Sequence, residues 1–100
     1  MKCLDECHNY AMDTFMGGAS TLLSFYRMSL DGIKTNGVTN EEVLRVLIHR
    51  LKFLNENWIG GKFKCRENSL AITKLEEALM WLEKRTQDRV ARNVEATQSP

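Results

Sequence analysis

The spacing of apolar positions changes along the chain, and the change marks where strands give way to helices. From Thr21 to Met28 the run Thr-Leu-Leu-Ser-Phe-Tyr-Arg-Met alternates and is rich in β-branched and aromatic residues. Asp31-Gly32 follows as a turn signal, and Ile33 to Val38 can return as a second strand. Together they predict a β-hairpin over residues 21–38. Beyond it the period lengthens. Thr39-Asn40-Glu41-Glu42 reads as a capping box, in which hydroxyl and carboxylate satisfy orphan N–H groups reciprocally. Leu44, Leu47, Ile48, Leu51 and Leu54 then make one helical face, to about Asn57. Gly60-Gly61 breaks that helix, and Asn68 or Ser69 can cap a second one reaching about Asn93. Ile72, Leu75, Leu79 and Leu82 form its apolar stripe. Residues 1–20 carry no clear period, although Met1 to Met16 allows a helix ending at Gly17-Gly18. The expected fold is α+β and mainly α: a small N-terminal β-hairpin, then a long antiparallel helical hairpin over residues 39–97.

The second helix continues past its leucines into arginines. Arg85, Arg89 and Arg92 keep the spacing of three and four, within roughly 60° of the Ala78 and Leu82 direction at about 100° per residue. A helix of about 26 residues spans roughly 39 Å at 1.5 Å per residue and outreaches a first helix of about 17. The overhang that bears the arginines would then lack a partner within the chain. A second copy can supply one, so a homo-oligomer is expected. Self-association also suits a chain of 100 residues, which buries only a modest core.

Charge and cysteine content narrow the chemistry. The formal net charge is +1, with acids and bases interspersed, which argues against coating a nucleic acid polymer through a broad basic field. Basic character is concentrated between Lys84 and Arg92, where Asp88 is the one acid. Three cysteines fit a reducing compartment better than a disulfide scaffold. Cys3, Cys7 and His8 could share a face, but Cys65 and His49 lie far off in sequence, so no metal is expected. No apolar run of eighteen or more residues is present, so no membrane span is expected.

Each candidate site residue has a structural reading beside its functional one. Arg85, Arg89 and Arg92 can be a solvated helix end, with Asp88 pairing to Arg85 or Arg92. They can equally form a phosphate site, for which the guanidinium fork is well suited. Trp58 is either core filler or a stacking plate for a base. Trp81, one turn before Arg85, reads as core or interface. Asn68 is an N-cap or a reader of a base edge or ribose hydroxyl. Lys62, Lys64 and Arg66 make a basic loop, and His49 sits on the polar face of its helix. No His-x-Asp pair, phosphate-cradling glycine loop or activated nucleophile is present. Neither a cofactor nor catalysis is expected.

Several stretches resemble a known family. Gly37-Val38-Thr39-Asn40-Glu41-Glu42-Val43-Leu44, His49-Arg50-Leu51, Cys65-Arg66-Glu67-Asn68, Leu75-Glu76-Glu77-Ala78-Leu79 and the run from Arg85 to Thr97 resemble the bacteriophage anti-defence sponges that share a helical-hairpin domain. The resemblance covers about residues 33–97. It implies a homohexamer in the cytoplasm of the infected host. It also implies sequestration of cyclic nucleotide second messengers, glycocyclic ADP-ribose of Thoeris or cyclic di- and trinucleotides of CBASS, between protomers and without cleavage. By the same resemblance Trp58 takes an aromatic position that is elsewhere Phe, Asn68 holds base or ribose, and Arg85 and Arg89 meet phosphate. Asn93 and Ala96 replace glycines of the family's usual ending. The alternatives are a phosphodiesterase acting on such signals, and a small helical adaptor or DNA-binding regulator that uses the arginine end.

Overall fold

A computed structural model describes residues 1–98, with side chains through Arg92. The chain forms two compact units, one from Met1 to Asn40 and one from Glu41 onward. The architecture is α+β, with antiparallel strands first and two helices after them.

The first unit holds more sheet than the periodicity predicts. Three strands, β1 (Lys2–Asp5), β2 (Asn9–Met12) and β3 (Thr21–Ser24), make one antiparallel sheet in the order β1-β2-β3. The N-terminal stretch expected to allow a helix is therefore two strands. Its reversal is local: the His8 N–H donates to the Asp5 carbonyl at 2.7 Å and turns the chain back before a helical turn can close. Thr21–Ser24, expected to pair forward in the sequence, pairs back onto β2, with Tyr10 opposite Leu23 and Ala11 opposite Leu22. The predicted hairpin survives in a shorter form, as β4 (Arg27–Met28) against β5 (Lys34–Thr35) around the Asp31-Gly32 turn. Gly32 takes φ 85°, a conformation that side chains disfavour. Gly37 is required for a different reason. A Cβ there would lie 2.4 Å from the carbonyl carbon of Phe25, because Val38 docks against Ser24 and Tyr26 by backbone hydrogen bonds. Tyr10 and Phe25 meet edge to face at 5.9 Å.

The second unit is the helical hairpin. α1 (Asn40–Glu56) has 17 residues and starts directly after Thr39. A short 3-10 segment, Trp58–Gly61, reverses the chain, with positive φ at Ile59, Gly60 and Gly61. α2 (Arg66–Gln98) has 33 residues, roughly 50 Å at 1.5 Å per residue. It starts earlier than expected, so Asn68 lies inside its first turn and is not the cap. It also continues through the backbone of Asn93 and Ala96, whose side chains lie outside the described residues. The helices run antiparallel, tied by Lys52–Glu76 (3.1 Å), Arg45–Glu83 (3.2 Å) and Arg85–Glu41 (3.6 Å). At the closed end Asn55 is buried. Its Oδ1 accepts the Cys65 N–H at 3.1 Å and its Nδ2 donates to the Ser69 hydroxyl at 3.4 Å.

The core between the helices is thin. Among the described residues only Ile48 and Ile72 are buried apolar side chains, each 8% exposed. Val46, Phe53, Trp58, Phe63, Met80 and Trp81 are all exposed. None of the described helices is long and apolar enough to cross a membrane.

Candidate functional site

α2 carries its cations on two neighbouring faces. Arg85, Asp88 and Arg92 recur with Trp81, Lys84 and Ala91 around an open groove of about 590 Å³. At 100° per residue these six positions fall within about 120° of one another. Arg89 stands roughly 40° to the side, nearer the Leu82 direction. Lys84 falls on one side of the Trp81 direction, and Arg85 and Arg92 fall on the other. Trp81 is 57% exposed within one chain, which excludes core from the core-or-interface reading and leaves interface.

Local pairing decides which cations are available. Lys84 Nζ lies 3.1 Å from Asp88 Oδ2, an i,i+4 pair. Asp88, expected to pair with Arg85 or Arg92, is thus held by lysine. Arg85 reaches the other way, to Glu41 in the first turn of α1. The expectation that all the arginines stand on an overhang without an intrachain partner is therefore corrected. Arg85 marks where α1 begins beside α2, and the true overhang, roughly 20 Å at 1.5 Å per residue, follows it. Arg89 and Arg92 have no ion pair within 4.0 Å among the described residues.

Trp58 and Asn68 belong to the opposite end of the hairpin. Trp58 opens the 3-10 segment, half exposed, with its ring centroid 6.0 Å from that of Phe53 and tilted by 49°. The side-chain amide of Asn68 donates to the Phe63 carbonyl at 2.8 Å and pins the loop that carries Lys62 and Lys64. This bond uses the amide nitrogen, so bracing the loop and accepting a hydrogen bond do not compete for one atom. Arg85 stands seventeen positions after Asn68 on the same helix, roughly 25 Å along the axis. The five sequence-predicted site residues thus form two clusters, Trp58 with Asn68 and Arg85 with Arg89 and Arg92. A nucleotide-sized ligand cannot span the two clusters within one chain.

Glu41 and Asn55 take their roles from how the two helices meet. The capping box takes its carboxylate from Glu42, and the reach of Glu41 to Arg85 depends on how the helices pair. Asn55 follows the apolar face of α1, and a polar residue in that register was the available signal. Among the described residues no three His, Cys, Asp or Glu side chains gather where one ion could be held.

The family model for the Acb2/Tad1 hairpin domain matches residues 27–87. This span includes Trp58, Asn68 and Arg85 and stops before Arg89 and Arg92. A similar protein is "Thoeris anti-defense 1" of Bacillus phage SBSphiJ7, 53% identical over 62 residues, which are 62% of this chain and 41% of the relative. The chain spans less than half the length of that relative. With β4, β5, α1 and most of α2 inside the matched span, the chain belongs to the Acb2/Tad1 hairpin-domain family.

Proposed function

We propose that this protein is a phage anti-defence sponge. It binds cyclic nucleotide second messengers of bacterial immunity in the cytoplasm of the infected host, and releases them unchanged. The observation that carries the reading is the exposed groove of α2 with Lys84, Arg85 and Arg92 beside Trp81, in a chain whose relative is named for anti-defence against Thoeris. Arginine clusters at helical spacing suit phosphates, since a guanidinium forms paired charge-assisted hydrogen bonds with two oxygens. Trp58 supplies a base-stacking face, worth about 1–3 kcal/mol per stacked base. Asn68 supplies a polar edge for base or ribose.

Two features favour a homo-oligomer, with a hexamer as the form the family resemblance implies. The thin core leaves Val46, Phe53, Met80 and Trp81 exposed, and exposed large apolar side chains of this kind mark interaction surfaces when they are contiguous. The separation of the two residue clusters also calls for a second chain at each pocket. A sponge must hold its ligand at about nanomolar affinity, near −12 kcal/mol. Two arginine–phosphate contacts of about 1.5–3 kcal/mol each and one or two stacked bases approach that figure when oligomerisation has already ordered the pocket.

The test is a thermal-shift panel of glycocyclic ADP-ribose isomers, cyclic dinucleotides and cyclic trinucleotides, followed by recovery of bound nucleotide after heat denaturation. Stabilisation by at least one ligand, recovered intact, supports sequestration. Linear or hydrolysed nucleotide produced by sub-stoichiometric protein would establish a phosphodiesterase instead. A salt-sensitive shift of duplex DNA without response to any cyclic nucleotide would establish the DNA-binding alternative.

A further inference from the structure

The turn between β1 and β2 brings two cysteines together by an unusual backbone. Cys3 Sγ and Cys7 Sγ are 3.7 Å apart, and the Cys7 N–H donates to Cys3 Sγ at 3.2 Å. Both cysteines are exposed. The turn closes through the His8 N–H on the Asp5 carbonyl, and its two central residues, Glu6 and Cys7, have φ 39° and 63°. Turns with positive φ at both central positions favour Asn-Gly or Asp-Gly, because a Cβ crowds the carbonyl there. Glu-Cys is a poor choice for such a turn. Strained backbone of this kind persists where the surroundings over-determine it, and it concentrates at functional positions. Here the strain places the Cys7 sulfur over Cys3, in van der Waals contact, across a slip in the β1–β2 ladder between Cys3 and Asp5. The pair lies outside residues 27–87, so it is no part of the matched family domain.

We propose that Cys3 and Cys7 form a reversible dithiol–disulfide site that exchanges with low-molecular-weight disulfides. The Cys3 thiolate attacks one sulfur of the small disulfide, forming a mixed disulfide and releasing one small thiol. The Cys7 thiolate then attacks Cys3 Sγ, the Cys3–Cys7 bond forms, and the second small thiol leaves. The protein loses two electrons and two protons, and the small disulfide gains both. An exposed disulfide across a strained turn belongs to the labile class, readily opened again by a thiol pool. Cys65, also exposed, has no second cysteine beside it and serves as an internal single-thiol reference.

The full chain is incubated with excess oxidised glutathione at mildly alkaline pH, alkylated, and mapped by peptide mass. The expected result is a Cys3–Cys7 cross-link with one glutathione on Cys65, all reversed by dithiothreitol. In Cys7→Ser, glutathione should stay on Cys3, because the resolving thiol is gone. Separate glutathione adducts on Cys3 and Cys7 of the wild type, or two unmodified thiols while Cys65 reacts, would overturn the proposal. So would a chain that takes up one equivalent of zinc and thereby shields both thiols from glutathione.

Discussion

Arg85 Nη2 lies 3.6 Å from Glu41 Oε1, so the first arginine of the α2 stripe is already engaged by the first turn of α1. Glu41 competes with any phosphate for that guanidinium. Glu41→Gln is expected to tighten binding of an anionic nucleotide by less than tenfold, since partly exposed pairs are worth only about 0.2–1 kcal/mol. The salt dependence of binding should steepen as the free cation meets phosphate. Calorimetric titration at two salt concentrations measures both, and unchanged affinity would remove Arg85 from the pocket.

Arg89 has no ion pair among the described residues, so its replacement tests the ligand more than the fold. Arg89→Ala is expected to weaken nucleotide binding by about ten- to a hundredfold, the value of one arginine–phosphate contact. Stability should stay within about 0.5 kcal/mol, as for most exposed substitutions. Urea unfolding beside the binding titration separates the two effects.

Asn55 joins the end of α1 to the start of α2 from a buried position, 3% exposed. In Asn55→Ala the Cys65 N–H loses its acceptor and Ser69 loses a donor. The expected loss is about 1–3 kcal/mol, the cost of an unsatisfied buried donor. A denaturant midpoint equal to wild type would show that water replaces the amide at no cost.

Asp31 makes the hairpin turn sensitive to acid. Its carboxyl is held below the ordinary value of 3.8, first by the Ser29 hydroxyl and then by the Ile33 N–H. A depressed carboxylate contributes stability above its unfolded value, and that contribution is lost as pH falls through the lower folded one. The β4–β5 turn should therefore hold at pH 5 and loosen only below about pH 4. Ser29→Ala should move that onset upward. Amide exchange at Gly32 across an acid titration reports it.

Much of the second unit is legible in the chain, because its signals act over three or four residues. The leucine period, the Thr39-x-x-Glu42 pattern and the Gly60-Gly61 break place α1, its start and the reversal to within a residue or two. The first unit is less legible. Strands of two to four residues are too short for a period to register, and pairing β3 with β2 or with β5 is a choice between distant partners. The arginine stripe of α2 was also visible, since side chains on one helix share faces by fixed geometry.

The sequence by itself determined which residues are cationic, aromatic or apolar, and on which helix face they fall, because those facts follow from local period alone. Tertiary structure alone decided that Arg85 turns to Glu41 and that Asn55 braces the closed end. Each of those depends on how one element lies against another, and contacts between segments distant in the chain leave no spacing to read.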